Sequence, residues 1–180
     1  GKSDDLLDQW NDESLQISID SFVFRPKGGE ELEYWEGELE QAIKGGGGTL
    51  SPYRLDLDKD GEAEIIVIER GSNQKYHVNH MYTLKQSGDA YELLSCEYLG
   101  YQRRSAVFTH QGAYYLAVNY DDSETKAANA VGLFSLEGGS PYRTFNENYM
   151  YIKKTHDSVG SHVLYQDENA PIAEGVQAYV

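Results

Sequence analysis

The stretch Asp56-Leu57-Asp58-Lys59-Asp60-Gly61-Glu62-Ala63-Glu64-Ile65-Ile66-Val67-Ile68 decides how the rest of the chain is read. Its first part places carboxylates at alternate positions, and its second part is an unbroken apolar, β-branched run. Asp-Lys-Asp-Gly favours a tight turn, because Asp side chains hydrogen-bond nearby backbone and Gly accepts a left-handed conformation. A short β-branched run directly after such a turn predicts a strand and not a helix.

The same alternation of turn and strand continues along the chain. Predicted strands are 53–58, 64–69, 76–85, 90–98, 104–110, 113–120, 129–137 and 142–153. They are rich in Tyr, Val, Ile and Phe and are separated by Asp60-Gly61, Ser87-Gly88-Asp89, Gln111-Gly112 and Gly138-Gly139-Ser140. Such short spacings imply hairpins and an antiparallel meander. Met81-Tyr82-Thr83-Leu84, followed by Gly88 and Tyr91, returns as Leu133-Phe134-Ser135-Leu136, followed by Gly139 and Tyr142. The offset is about 50 residues, the length of a four-stranded propeller blade.

Upstream of the loop the pattern changes. Ser3 is placed to cap a helical turn over 4–10, and Leu15, Ile17 and Ile19 alternate with polar residues as in a half-buried strand. Leu32, Trp35, Leu39, Ala42 and Ile43 recur at helical spacing and predict a helix over 30–44. Glu31, Glu33, Glu36, Glu38 and Glu40 fall on its other faces. Gly45 to Gly48 stop the helix and read as a flexible connector. They are not a phosphate cradle, which needs strand, glycines and then helix, with Lys-Ser or Lys-Thr closing the loop. The predicted fold is mainly β: antiparallel meander sheets resembling one or two propeller blades, with one N-terminal helix packed on them. An α+β description is the fallback. A single domain over 1–180 is expected, with an acidic segment at 1–48, blade-like units at 53–98 and 104–153, and a C-terminal segment at 154–180.

Charge narrows the functional classes. The 180 residues carry 30 acidic and 15 basic groups, a net charge of −15, with 17 of the acids in residues 1–64. Nucleic-acid binding rests on clustered Lys and Arg, and the doublets Arg103-Arg104 and Lys153-Lys154 do not supply it. Apolar residues at 39% argue against intrinsic disorder. No apolar run approaches the roughly 20 residues of a membrane-spanning helix. Cys96 is the one cysteine, which leaves no intrachain disulfide and no cysteine zinc site, and it reads as a small core residue. The opening Gly1-Lys2-Ser3-Asp4-Asp5 suits an exported chain (periplasmic, cell-surface or secreted) whose leader has been removed.

Calcium is bound by six to eight oxygens that a short loop wraps around it. Loop positions 1, 3 and 5 fall on Asp56, Asp58 and Asp60, position 6 on Gly61, position 7 on Glu62 and position 9 on Glu64. Position 12 is Val67, so the bidentate glutamate of a helix-loop-helix calcium hand is missing. The loop resembles those of FG-GAP (integrin α-type) propeller repeats, which carry Asp-x-Asp-x-Asp-Gly-x-x-Asp before a strand. Here Glu64 takes the last Asp position, and the Phe-Gly and Gly-Ala-Pro signatures are absent. Similar single loops occur in exported bacterial proteins. The resemblance implies a calcium ion held by the side chains of Asp56, Asp58, Asp60 and Glu64 and the carbonyl of Glu62, pinning a hairpin.

Other constellations are weaker. His77 and His80, three apart in a strand, face opposite ways and so share no metal, and all five histidines, with His110, His156 and His162, read as surface residues. Ser72-Asn73-Gln74-Lys75 and Ser123-Glu124-Thr125-Lys126 fit Ser-x-x-Lys without its companion motifs. Glu36, Glu38, Glu40, Asp121 and Asp122 are candidate acid–base carboxylates that read better as a solvated face. Tyr114, Tyr115, Tyr120, Tyr149, Tyr151 and Trp35 suit strand packing, or an aromatic platform for sugars or peptides. The function expected is a non-catalytic binding or interaction domain of an exported bacterial protein, stabilised by calcium, with a protein or carbohydrate ligand. Two alternatives stay open: a small carboxylate-dependent hydrolase acting on polysaccharide, and an acidic module docking a basic protein partner.

Overall fold

A computed structural model describes residues 10–46, 48–71, 78–110, 112–120, 130–136, 149–154 and 161–165. The chain is mainly β, in antiparallel meander sheets with, among the described residues, one full α-helix. The strands are β1 (Thr49–Leu55), β2 (Glu64–Arg70), β3 (Val78–Ser87), β4 (Ala90–His110), β5 (Ala113–Tyr120), β6 (Ala130–Ser135), β7 (Tyr149–Lys154) and β8 (Ser161–Tyr165). The helix, α1, is Glu33–Ile43. Two compact units divide the chain, with the boundary inside β4 at Gly100 and Tyr101.

In the unit of residues 14–100, β1, β2, β3 and the first part of β4 follow one another in sheet order. Pairing of β1 with β2 sets Leu55 opposite Glu64 and Tyr53 opposite Ile66. Pairing of β2 with β3 sets Ile65 opposite Leu84 and Glu69 opposite His80. Residues Ile65 to Val67 are wholly buried, so β2 hides both faces. That is why its sequence is a continuous apolar run instead of an alternation. On one face, Leu39 of α1 enters a core of Ile65, Val67, Tyr82, Leu84 and Leu93, flanked by Leu32, Trp35 and Ile43. These are the apolar helix positions identified from their spacing. Cys96 lies half-buried at the edge of this core, where burial pushes its thiol up to about 12.

The helix ends in a specific geometry. Gly45, at φ +87°, donates its N–H to Ala42 at 3.1 Å, and the Gly46 N–H reaches Gln41 at 2.9 Å. This is the double bond of a Schellman cap, which wants a left-handed residue at Gly45. At least this part of the glycine run is therefore a defined helix stop and not a loose connector.

Residues 15–19 are not a strand, contrary to their alternation. They hold the end of one 3-10 turn (Glu13–Leu15), an isolated bridge from Gln16 to Tyr53, and the start of a second turn (Ile19–Ser21). Ser18 decides the matter locally: its hydroxyl accepts from the Asp20 N–H at 3.2 Å, and its carbonyl accepts from the Ser21 hydroxyl at 2.6 Å. Side-chain bonding of this kind competes with a sheet ladder, while Ile17 and Ile19 still pack against the core.

The second unit pairs the later part of β4 with β5, then β6, β7 and β8 in antiparallel order. Phe108 and Tyr115 are cross-strand partners with rings stacked at 5.5 Å, and Trp10 stacks on Phe108 at 5.6 Å. Strand β4 runs through 99–103, where two separate strands were predicted, with an irregularity between Gln102 and Arg104. Strand β8 was not foreseen. The helical turn over 4–10 and the stretch 142–148 lie outside the described residues, except Trp10.

Candidate metal centre

The connection from β1 to β2 is the loop 56–63, and its backbone is organised by its own carboxylates. Asp56 Oδ2 accepts the Gly61 N–H at 2.9 Å, and Asp56 Oδ1 accepts the Asp60 N–H at 3.2 Å. Asp58 also accepts from Asp60, at 3.2 Å, and Asp60 accepts from Glu62 at 2.8 Å. Each is a short side-chain-to-backbone turn of the kind Asp favours. Gly61 stands at φ +89°, where a β-carbon is unwelcome, and Lys59 takes the left-handed region at φ +60°.

These turns bring side chains together that are far apart along an extended chain. One carboxylate oxygen from each of Asp56, Asp58, Asp60 and Glu64 lies within 4.8 Å of the others. Glu64 is the buried member, 4% exposed, and begins β2. Its Oε2 accepts the Leu57 N–H at 2.7 Å, closing the loop at its base. Burial pushes the Glu64 carboxyl up from its ordinary value; the Leu57 bond opposes this, and Asp58 and Asp60 reinforce it. Glu62 is exposed and takes part through its backbone N–H.

Lys85, on β3, is the residue that sequence reasoning missed. Its Nζ lies 3.7 Å from Asp58 Oδ2 and 3.7 Å from Asp60 Oδ2. Desolvation pulls its pKa down, but Asp58, Asp60 and Glu64 outweigh it and raise the ammonium's affinity for its proton. A cation thus already stands where the negative potential collects. The four carboxylates supply only hard oxygen donors, so the cluster can hold a metal ion of the oxygen-seeking class.

The remaining candidates disperse. Glu36 is turned inward, 3% exposed, and its carboxylate accepts the backbone N–H groups of Lys27 and Gly28. Glu40 pairs with Lys44 at 3.6 Å. Trp35 packs against the core, with its ring 4.8 Å from His80 and 4.9 Å from Tyr34. His80 is half-buried and also meets Tyr98 at 5.6 Å, so it is no simple surface histidine. Tyr115 belongs to the Phe108 stack. His77, both Ser-x-x-Lys segments, Asp121 and Asp122 lie outside the described residues, as do the side chains of His110, His156, His162, Tyr120, Tyr149 and Tyr151.

Compared with known proteins, the chain matches no family model, no curated protein and no solved structure.

Proposed function

We propose that the chain is a non-catalytic binding domain of an exported protein, whose β1–β2 connection is pinned by a calcium ion. The observation that carries the metal is the convergence of four carboxylate oxygens from a nine-residue span within 4.8 Å of one another. Like charges at such separations repel unless a cation screens them. Calcium accepts several flexible oxygen ligands, whereas magnesium demands a stricter octahedron and releases its waters reluctantly. Asp56, Asp58, Asp60 and Glu64 would hold the ion, with the Glu62 carbonyl as a further donor. Its role is stabilisation, because a ligand that binds only the folded state adds its binding energy to folding.

Thermal melting with and without calcium tests this reading. At a calcium concentration about 100-fold above Kd, the melting temperature should rise by about 5–10 °C. Asp58→Ala combined with Asp60→Ala should remove the rise. Identical melting curves in calcium and in chelator would end the calcium reading.

A further inference from the structure

The face of α1 that carries Trp35 meets β3 and β4 in a group of rings the metal loop does not involve. Trp35 and His80 stand 4.8 Å apart at an interplanar angle of 46°, and His80 meets Tyr98 edge-on at 5.6 Å and 63°. Tyr34 lies edge-on to Trp35 at 4.9 Å and 80°. Tyr34 and Tyr98 keep 67% and 60% of their surface exposed, two of three large hydrophobic residues so exposed among those described. A flat platform for a sugar ring would need rings close to one plane. These stand at angles to each other, in a chain of tilted and edge-on contacts, and leave Tyr34 and Tyr98 with most of their surface open to a cation.

The charges around the rings agree. Helix α1 has no basic residue of its own; of its four glutamates, Glu36 is turned inward onto the Lys27 and Gly28 backbone and Glu40 pairs with Lys44. Glu38 acts electrostatically on His80, Tyr82 and Glu69. Glu69, half-buried on β2, accepts the Tyr82 hydroxyl at 3.0 Å. Burial holds the His80 ring below its usual proton affinity, with Glu38 opposing.

We propose that Tyr34, Trp35, His80 and Tyr98, with Glu38 and Glu69, form a docking site for a lysine or arginine side chain of a basic protein segment. The rings supply faces for the cation, and the two carboxylates supply its counter-charge. The inference rests on the reading of the chain as a binding module, and it is independent of the metal.

Calorimetric titration with tetra-arginine amide tests it, using the tetra-citrulline peptide as an uncharged control of the same shape. Tetra-arginine should bind one-to-one and tetra-citrulline should not. Tyr34→Ala with Tyr98→Ala keeps every charge and should weaken binding about tenfold, while leaving the calcium-dependent melting shift intact. Asp58→Ala with Asp60→Ala should do the reverse. Equal affinity in the wild type and the tyrosine variant would assign binding to general acidity and overturn the site. So would tyrosine-dependent binding of a neutral oligosaccharide without binding of tetra-arginine. A wild type that binds tetra-arginine but shows no calcium-dependent melting shift would sink the metal and leave this site standing.

Discussion

Lys85 Nζ stands 3.7 Å from Asp58 Oδ2, a contact between strand β3 and the loop that joins β1 to β2. The same ammonium is equally far from Asp60. A protein cation therefore competes for the charge that a metal ion would neutralise. Lys85→Met should lower the melting temperature in chelator, because the carboxylates lose the ammonium between them. It should also tighten calcium binding several-fold and enlarge the calcium-dependent rise. Paired calcium titrations of wild type and variant measure both effects. Weaker calcium binding in Lys85→Met would show that the lysine shapes the loop instead of competing for it.

Glu36 is a buried carboxylate with a structural duty. It holds Lys27 and Gly28 by their backbone N–H groups and so ties the segment before α1 to the helix. Glu36→Ala leaves both donors without that acceptor and should cost about 1–2 kcal/mol, since Lys27 and Gly28 are exposed and water replaces part of the loss. Glu36→Gln, which keeps one acceptor oxygen, should cost less. Urea denaturation reads the difference as a shift in midpoint. An unchanged midpoint in Glu36→Ala would mean that the carboxylate is a bystander.

Leu39 is the helix's buried anchor, 0% exposed among Ile65, Val67, Tyr82, Leu84 and Leu93. Leu39→Ala should destabilise this unit by about 2–5 kcal/mol through lost burial and the cavity left behind. Gln41→Ala, on the exposed side of the same helix, should change stability by under about 0.5 kcal/mol. Denaturation followed by tryptophan fluorescence reports both, and similar losses in the two variants would contradict the packing described.

What was legible in the sequence was what local chemistry decides. Ile65-Ile66-Val67-Ile68 has no polar face to offer solvent, and so short a β-branched run directly after a turn reads as a buried strand. Asp56, Asp58 and Asp60 form their turns with backbone only two to five residues away, so their convergence follows from spacing alone. What was hidden depends on partners distant in sequence. Lys85 reaches the loop because β2 and β3 pair in one register, a step beyond Ile65 and Leu84. Glu36 turns inward and accepts from two backbone donors eight and nine residues earlier, a pairing that its helical spacing does not announce. Ser18 shows the opposite failure: a local hydroxyl bond displaced the strand that alternation suggested.

The last prediction concerns Glu69 and pH. Burial pushes its carboxyl up from the ordinary 4.5; the Tyr82 hydroxyl opposes this, and Glu38 adds to it. The folded chain therefore keeps this proton to higher pH than the unfolded chain does. The contribution of Glu69 to stability is complete below 4.5 and is lost as pH rises through the folded value. His80 works in the opposite direction, since burial lowers it from 6.5 against the pull of Glu38. Its contribution is complete above 6.5 and is lost as pH falls below that. In wild type the two slopes oppose each other between these values. Glu69→Gln removes one of them and keeps an oxygen for the Tyr82 hydroxyl. The variant should be the more stable protein at neutral pH, and its advantage should shrink towards nothing below about pH 4.5. Melting from about pH 4 to about pH 8 in chelator, which keeps cation binding at the 56–64 loop out of the comparison, follows the difference. An offset that stays constant across that range would mean that Gln acts through packing, and that the Glu69 proton plays no part.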